Sequence, residues 1–266
     1  ARYFYEKKTA KYKRQIEQIE KENIEKNYQM RIELFTNFSH ELRTPLTLIT
    51  GPVDDIINDE QLPSGLKYPM KQIQKNANRL LLLVNQLMDF RKLEHGAMQL
   101  KLSSLNVPVF ITEQIDSFSE LLNKHELTIS YSNNYYGNNL WVDVDLMSKV
   151  MFNLLSNAIK HSSRGGKIQL ESNMEENSVV LSVKDFGEGI SPENQSKVFD
   201  PFFQIGNGNK GGMFGSGIGL NLVQYVVKLH FGKIWLESTP GQGTTFFIRL
   251  QLGKEHYANS NVIYTD

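Results

Sequence analysis

The feature that most constrains this chain is a change in the spacing of its apolar residues at Gly96. Before this residue, apolar side chains recur at the three- and four-residue steps of an α-helix, as between Met70 and Met88. After it, short segments alternate apolar and polar residues in the pattern of half-buried strands, and helical stretches lie between them. The sequence therefore predicts a helical domain followed by an α+β domain.

Composition excludes several classes of protein. The 266 residues include 29 basic and 29 acidic side chains, a balance that argues against a nucleic-acid-binding protein. The chain has no cysteine, which excludes disulfides, thiolate zinc sites and thiol nucleophiles. Its longest apolar run, residues 80–84, is far shorter than the roughly 20 residues of a membrane span. With neither an initiator Met nor a signal peptide, the sequence is expected to be an intracellular piece of a longer protein.

The N-terminal segment is charged and contains neither Pro nor Gly up to Phe38. Aromatic residues followed by basic ones are typical of the cytoplasmic edge of a transmembrane helix, and a solvated helix start is the alternative. An apolar stripe from Tyr12 to Phe38 has a coiled-coil rhythm that Asn23 and Asn27 weaken. We expect residues 1–29 to form a signalling helix that pairs loosely with a second copy, although a solvent-exposed helix would also fit.

Residues 30–96 predict a helical hairpin. Pro45 and the Gly51-Pro52 pair lie within the first helical pattern and are expected to bend it. A loop around Pro63 then leads to the second helix. Since a hairpin cannot cover its own apolar stripe, we expect a homodimer in which two hairpins form a four-helix bundle.

Residues 97–253 predict an α+β sandwich, with helices packed on one face of a sheet. Strands are expected at residues 127–131, 167–171, 179–184, 233–237 and 244–250, and helices at 109–122, 144–160 and 219–229. The polar residues 254–266 are expected to be a linker tail.

Residues 38–46, Phe-Ser-His-Glu-Leu-Arg-Thr-Pro-Leu, place His40 on the first helix of the hairpin. A neutral imidazole is a nucleophile near pH 7 when its second nitrogen is held, and Glu41 can accept that N–H. Thr44 lies one helical turn further on the same face, where its hydroxyl can orient a water molecule. Because a histidine on a helix is more often structural, this motif alone leaves both interpretations open.

Two later segments carry polar groups suited to a nucleotide. Asn153 and Asn157 are four residues apart on one helix, and amide oxygens suit magnesium that is also bound by phosphate and water. Lys160 can contact phosphate, although a polar helix face explains all three residues. Asp185 ends a predicted strand and can accept a hydrogen bond from an exocyclic amine. The Asp-Phe-Gly sequence that begins there does not indicate a eukaryotic-type kinase, because the other motifs of that family are absent.

Glycine-rich segments complete the set. Gly215, Gly217 and Gly219 precede a predicted helix, and backbone N–H groups at a helix N-terminus bind phosphate. Residues 241–246 precede the last strand, where a tight hairpin turn is an equal explanation. Residues 206–211 match the spacing of a dinucleotide fingerprint, but they neither follow a clear strand nor open a helix.

Together with the Phe-Asp-Pro-Phe-Phe sequence of residues 199–203, these segments resemble the H, N, F and glycine boxes of bacterial sensor histidine kinases, in the same order. The resemblance implies a phosphoacceptor hairpin followed by a Bergerat-type α/β sandwich that binds ATP and Mg²⁺. It further implies that His40 is phosphorylated, that Glu41 acts as base and that Thr44 helps to remove phosphate from a receiver domain.

The resemblance also assigns the nucleotide site. Asn157 would hold the magnesium ion, and residues 204–214 would form a lid. His161 stands where the family often has an aromatic residue. The residues implied to bind or shape the nucleotide are Asn153, Asn157, Lys160, His161, Asp185, Gly187, Gly189, Phe203, Gly215, Gly217, Gly219, Leu220 and Thr244.

The partners implied are a second copy of the chain, an upstream sensor domain and a response-regulator receiver domain. That receiver is either a separate protein or part of the same parent chain, as in hybrid kinases. Nucleic acid is not expected, and the location implied is the cytoplasmic portion of an inner-membrane protein. The alternatives are another ATPase with the same pocket, a dimeric scaffold without catalysis, and a core that acts chiefly as a phosphatase.

Overall fold

The computed structural model describes residues 41–59, 62–94, 99–137, 140–205, 217–258, 260 and 262–265. These residues form two compact units, one ending at Arg91 and the other beginning at Lys92. The predicted signalling helix, residues 1–29, and the candidate nucleophile His40 lie outside the described residues.

The first unit is a helical hairpin, as predicted. Helix α1 covers residues 41–58 of the described chain, and α2 covers Ser64–Glu94 with Pro69 inside it. The Gln74 side-chain amide donates a hydrogen bond of 2.5 Å to Oδ1 of Asp54, which joins the two helices. Large apolar side chains nevertheless remain exposed on both helices, among them Leu48, Ile49, Ile56, Ile73 and Leu80.

The second unit is an α+β sandwich. Its elements, in chain order, are β1 Leu100–Leu105, α3 Val107–Ser117, α4 Ser119–Lys124, β2 Thr128–Asn134, β3 Leu140–Val142, α5 Val144–His161, β4 Lys167–Glu175, β5 Ser178–Asp185, α6 Pro192–Gln195, α7 Gly219–Leu229, β6 Lys233–Thr239, β7 Gly243–Gln251 and β8 Val262–Tyr264.

The larger sheet contains the five predicted strands, in the order β2-β4-β5-β7-β6. Strands β2 and β4 are parallel, and the other neighbours are antiparallel. The single helix predicted over residues 109–122 is instead two helices, because α3 ends at Ser117 and α4 begins at Ser119. A second sheet, β3-β1-β8, was not predicted, because the alternation of β1 breaks at Ser103-Ser104 and because β3 and β8 have only three residues each.

Helix α5 packs its apolar face into the core with α7 and the larger sheet. Asp143 caps its N-terminus, since Oδ1 accepts the backbone N–H of Leu146 at 3.1 Å and Oδ2 accepts that of Lys101 at 3.0 Å. The Asp143 N–H donates in turn to Nε2 of the fully buried His230, at 3.0 Å. One residue thus joins α5, β1 and the end of α7.

The C-terminal residues differ from the expected linker tail. Strand β8 pairs in parallel with β1, with Val262 opposite Leu100. Tyr257 is only 1% exposed, and its hydroxyl donates a hydrogen bond of 3.0 Å to the carbonyl of Trp141. Because Tyr257 lies in the core of the sandwich and Val262 packs against it, the described residues between Glu255 and Thr265 fold as part of the second unit.

Replacing Asp143 with alanine should destabilise the second unit. The change removes a helix cap and leaves the N–H groups of Leu146 and Lys101 without their acceptor, which together should cost about 1–3 kcal/mol. Asp145→Ala is the matched control, because this exposed acid lies in the first turn of α5 and should change stability by about 0.5 kcal/mol or less. Urea unfolding of both variants measures the difference, and equal stabilities would contradict the capping role.

Replacing Tyr257 with phenylalanine tests the docking of the C-terminal segment. Loss of the hydroxyl leaves the Trp141 carbonyl without this donor and should lower the free energy of unfolding by about 1 kcal/mol. Tyr264→Phe serves as control, because its half-exposed ring keeps its edge contact with Trp141 after the change. If thermal and urea unfolding show no loss for Tyr257→Phe, this segment contributes no stability through that hydrogen bond.

Candidate nucleotide site

Asp185, the last residue of β5, is the buried carboxylate of the candidate site, with 5% of its surface exposed. Its Oδ1 accepts two backbone hydrogen bonds, from Gly187 at 2.9 Å and from Thr244 at 3.2 Å. Burial raises the pKa of Asp185 above its usual value, although the two backbone donors and nearby His161 oppose this effect. Since both N–H groups bond to Oδ1, Oδ2 is left to accept from another donor.

The loop after Asp185 packs directly against the end of α5. A Cβ atom on Gly187 would overlap the carbonyl oxygen of His161, so this position requires glycine. On the other side, Gly243 approaches the backbone of Asp185 as closely. Three elements therefore converge on Asp185: the end of α5, the loop after β5 and the start of β7.

Helix α5 carries the four polar residues predicted for the site. Asn153 is buried, with its Nδ2 bonded to the carbonyl of Lys149 at 2.7 Å and its Oδ1 against Gly219 at the start of α7. Asn157, one turn closer to the end of the helix, and Lys160 are half-buried. His161 is more exposed, and its Nδ1 lies 3.2 Å from Oε1 of Glu188. Asn153 thus connects α5 to α7, whereas Asn157 and Lys160 are only partly covered by the rest of the domain.

The beginning of α7 supplies backbone donors. Its first residue is Gly219, and the preceding Ile218 has no polar side chain to cap the helix. The first N–H bonded within the helix is that of Leu222, which donates to the Ile218 carbonyl. The N–H groups of Gly219 and Leu220 therefore have no partner within the helix, and they lie at its positive end.

The remaining predicted residues are placed as follows. Gly217 has a φ of +71°, and its carbonyl accepts the N–H of Phe202 at 2.9 Å. Phe203, the next residue after Phe202, is half-buried. Thr244 is buried, and its hydroxyl is 2.9 Å from that of Ser238. Gly189 also has positive φ and approaches the carbonyl of Thr239. Gly215 lies outside the described residues, as does most of the predicted lid.

The predicted phosphoacceptor segment is described only in part. Glu41 and Thr44 both lie on α1 and are exposed. Their neighbour His40 is outside the described residues, and its position relative to Glu41 and Thr44 is therefore not described.

Several residues of the site were not predicted. Glu188 pairs with His161. Its position between Gly187 and Gly189 could have marked it in the sequence as a residue of the site. Ser238 accepts the N–H of Ile190 at 2.8 Å and donates to the Gly243 carbonyl at 2.9 Å. These bonds connect β6 to the loop after β5 and to the start of β7. Asn221 donates to the Phe199 carbonyl at 2.9 Å. No sequence pattern marks Ser238 or Asn221.

The described residues fit a nucleotide better than a metal held by the protein alone. No cluster of three or more His, Cys, Asp or Glu in the described ranges is arranged to hold a metal ion. A buried carboxylate with one available oxygen suits the amine of adenine, and a helix N-terminus that no side chain of the described residues caps suits phosphate. In the part of the chain that the structure describes, no helix is both long and apolar enough to cross a membrane.

Two family models match the chain. Residues 30–96 match the His Kinase A (phospho-acceptor) domain. Residues 142–254 match the histidine kinase-, DNA gyrase B- and HSP90-like ATPase domain. The two matches do not overlap, and they occur in the predicted order.

Known proteins agree with these matches. The chain is 36% identical over 260 residues to histidine kinase P4 of Formosa agariphila, which covers 97% of this chain and 19% of that protein. Full-length ShkA in complex with AMPPNP has a similar fold, with a TM-score of 0.72 at 22% identity over 83% of this chain and 46% of that one.

The structure of histidine kinase ThkA in complex with the response regulator TrrA matches with a TM-score of 0.58 and 25% identity, over 84% of this chain and 62% of that one. The first curated relatives are much longer than this chain, which spans 19%, 37%, 15% and 38% of their lengths. Within that span both domains of a histidine kinase core are present, and the chain belongs to the sensor histidine kinases.

Proposed function

We propose that this chain transfers the γ-phosphoryl group of ATP to His40 and then to an aspartate of a response-regulator receiver domain. The observation that carries the proposal is the buried carboxylate of Asp185, held by two backbone donors on one oxygen, in a chain that also contains a phosphoacceptor domain. Every other residue role below depends on nucleotide binding at this carboxylate.

Asp185 selects the base in this proposal. Its available Oδ2 accepts a hydrogen bond from the exocyclic amine of adenine. The close approach of Gly187 to the end of α5 keeps the loop thin, so that an aromatic ring can lie against the backbone. A base with a carbonyl in place of the amine would set two acceptors against each other, which favours ATP over inosine or guanosine triphosphates.

The phosphates bind at the other end of the site. The N–H groups at the start of α7 and the Lys160 ammonium neutralise phosphate oxygens. Asn157 would hold a magnesium ion through its amide oxygen, a ligand that suits an ion also bound by phosphate and water. Magnesium supplies charge neutralisation, while the protein supplies position, and these are the main contributions to phosphoryl transfer.

The acceptor is the imidazole of His40. The bond between the γ-phosphorus and the bridging oxygen of ADP breaks, a nitrogen–phosphorus bond forms, and the imidazole proton passes to Glu41. Thr44 orients water for the reverse function, removal of phosphate from the receiver domain. These roles come from the resemblance of residues 38–46 to the family's phosphoacceptor motif, and the match of residues 30–96 to the phospho-acceptor domain supports them.

The hairpin forms a homodimer in this proposal. Leu48 is 70% exposed and Leu80 50% exposed, and further apolar side chains on α1 and α2 are in contact with solvent. A second copy of the hairpin would bury these side chains in a four-helix bundle. A response regulator is the proposed partner, as ThkA is bound to TrrA in its structure.

The parent protein is proposed to be membrane-anchored, with this chain on the cytoplasmic side and a sensor domain upstream. The curated relatives with matching cores include sensor proteins, among them KinB of Pseudomonas aeruginosa and SrrB of Staphylococcus aureus. A scaffold without catalysis is not favoured, because Asn157, Asp185 and the described glycines of the site are all retained.

Changing His40 to glutamine tests the phosphoacceptor. With magnesium and γ-labelled ATP, the parent chain should acquire a label that is lost in acid and stable in base, as expected of a phosphoramidate. His40→Gln should acquire none while it binds ATP with the parent's affinity, because the nucleotide contacts are in the other domain. Equal labelling of both proteins would refute the assignment of His40.

Changing Asp185 to asparagine tests the base contact. The asparagine carbonyl would accept the two backbone N–H groups, which turns its NH₂ group toward the adenine amine and sets two donors against each other. The Kd for ATP should rise about tenfold or more, and the preference for ATP over inosine triphosphate should fall or reverse.

Asp145→Asn is the control for this variant, because it makes the same charge change at an exposed position near the other end of α5. Titration calorimetry with ATP and inosine triphosphate measures both preferences. An unchanged ratio of the two affinities in Asp185→Asn would show that Asp185 does not contact the base.

A further inference from the structure

Asn221 makes a contact that neither its helix nor the nucleotide motifs explain. It is the third residue of α7, half-buried, and its Nδ2 donates a hydrogen bond of 2.9 Å to the carbonyl of Phe199. Phe199 ends the short 3₁₀ helix Lys197–Phe199, so the bond joins residues 22 positions apart. Asparagine is a poorer helix former than alanine, and its presence here is accounted for by this bond rather than by helix propensity.

A second hydrogen bond joins the same two stretches of chain. The N–H of Phe202 donates to the carbonyl of Gly217 at 2.9 Å. Both residues have positive φ, +65° for Phe202 and +71° for Gly217, and a Cβ on Gly217 would lie 2.6 Å from the carbonyl carbon of Phe202. Backbone strain at a non-glycine residue persists only where the surroundings hold it in place.

The two bonds act on different parts of α7. The Phe202–Gly217 bond lies before the helix and positions only the backbone that leads into it. Asn221 is inside the first turn, so its side chain fastens that turn to the carbonyl of Phe199, whereas the buried apolar face of α7 fixes the rotation of the helix. The position of the first turn determines where the N–H groups of Gly219 and Leu220 lie, and neither of them is bonded within the helix.

We propose that Asn221 is a positioning residue for the phosphates of the nucleotide: by binding the Phe199 carbonyl it holds the first turn of α7 at the place where its first N–H groups meet the triphosphate. This inference rests on the proposed function, since it requires ATP to bind at this site. It assigns no contact between Asn221 and the nucleotide. Loss of Asn221 should therefore weaken binding of the phosphates and leave binding of the base unchanged.

Asn221→Ala and Asn221→Leu test the inference, the second because it keeps the size of the side chain without its donor. Both variants should bind the ATP analogue AMPPNP about 3- to 10-fold more weakly, as expected for the loss of one hydrogen bond. Both should bind adenosine with the affinity of the parent, because the contact of Asp185 with the base does not depend on the position of the first turn of α7. Urea unfolding of each variant shows whether the fold is retained.

Gln224→Ala is the matched control, an exposed residue one turn further along α7 whose change should affect neither ligand. Equal AMPPNP affinity in the parent and both Asn221 variants would overturn the inference and leave the proposed function intact. A parallel loss of adenosine affinity would also overturn it, since the role of Asn221 would then be general to the fold. Failure of the parent to bind either ligand would refute the proposed function and this inference together.

Discussion

The burial of one face of α5 is the constraint on which the rest of the ATPase domain depends. Because the helix cannot rotate without exposing its apolar side chains, its polar residues are presented at defined places. At its start, Asp143 binds β1 and the end of α7; at its middle, Asn153 lies against Gly219; at its end, the carbonyl of His161 lies against Gly187. The two ends of the candidate nucleotide site are therefore separated by a fixed length of helix.

Burial of a carboxylate is costly, and the domain offsets this cost with backbone rather than side-chain partners. Asp185 has two N–H donors on one oxygen and no lysine or arginine paired with it in the described residues. A cation at this place would bind the second oxygen and compete with a neutral amine. Backbone donors leave that oxygen available, and this arrangement suits recognition of a base.

Much of this architecture was predictable from sequence, and the exceptions have physical reasons. The strands of the larger sheet have seven to nine residues, and the segments predicted for them have five to seven. Alternation of apolar and polar residues is recognisable over these lengths. Strands β3 and β8 have only three residues each, and they exist because β1 lies between them. The roles proposed for Asp185 and Gly187 follow from local motifs, whereas the bond of Asn221 to Phe199 depends on tertiary structure. A lone asparagine in a helix carries no signal of such a partner.

The parallel pairing of β8 with β1 has a mechanical consequence. Strand β1 begins at Leu100, and β8 ends at Tyr264, at the opposite end of the paired strands. A force that pulls these two points apart acts along the strands and loads their hydrogen bonds together, as in a shear joint, rather than opening them one at a time. The bond from the Thr265 N–H to the Leu102 carbonyl lies at the end of this joint. Tension applied between these two ends would therefore load the small sheet before the five strands of the larger sheet.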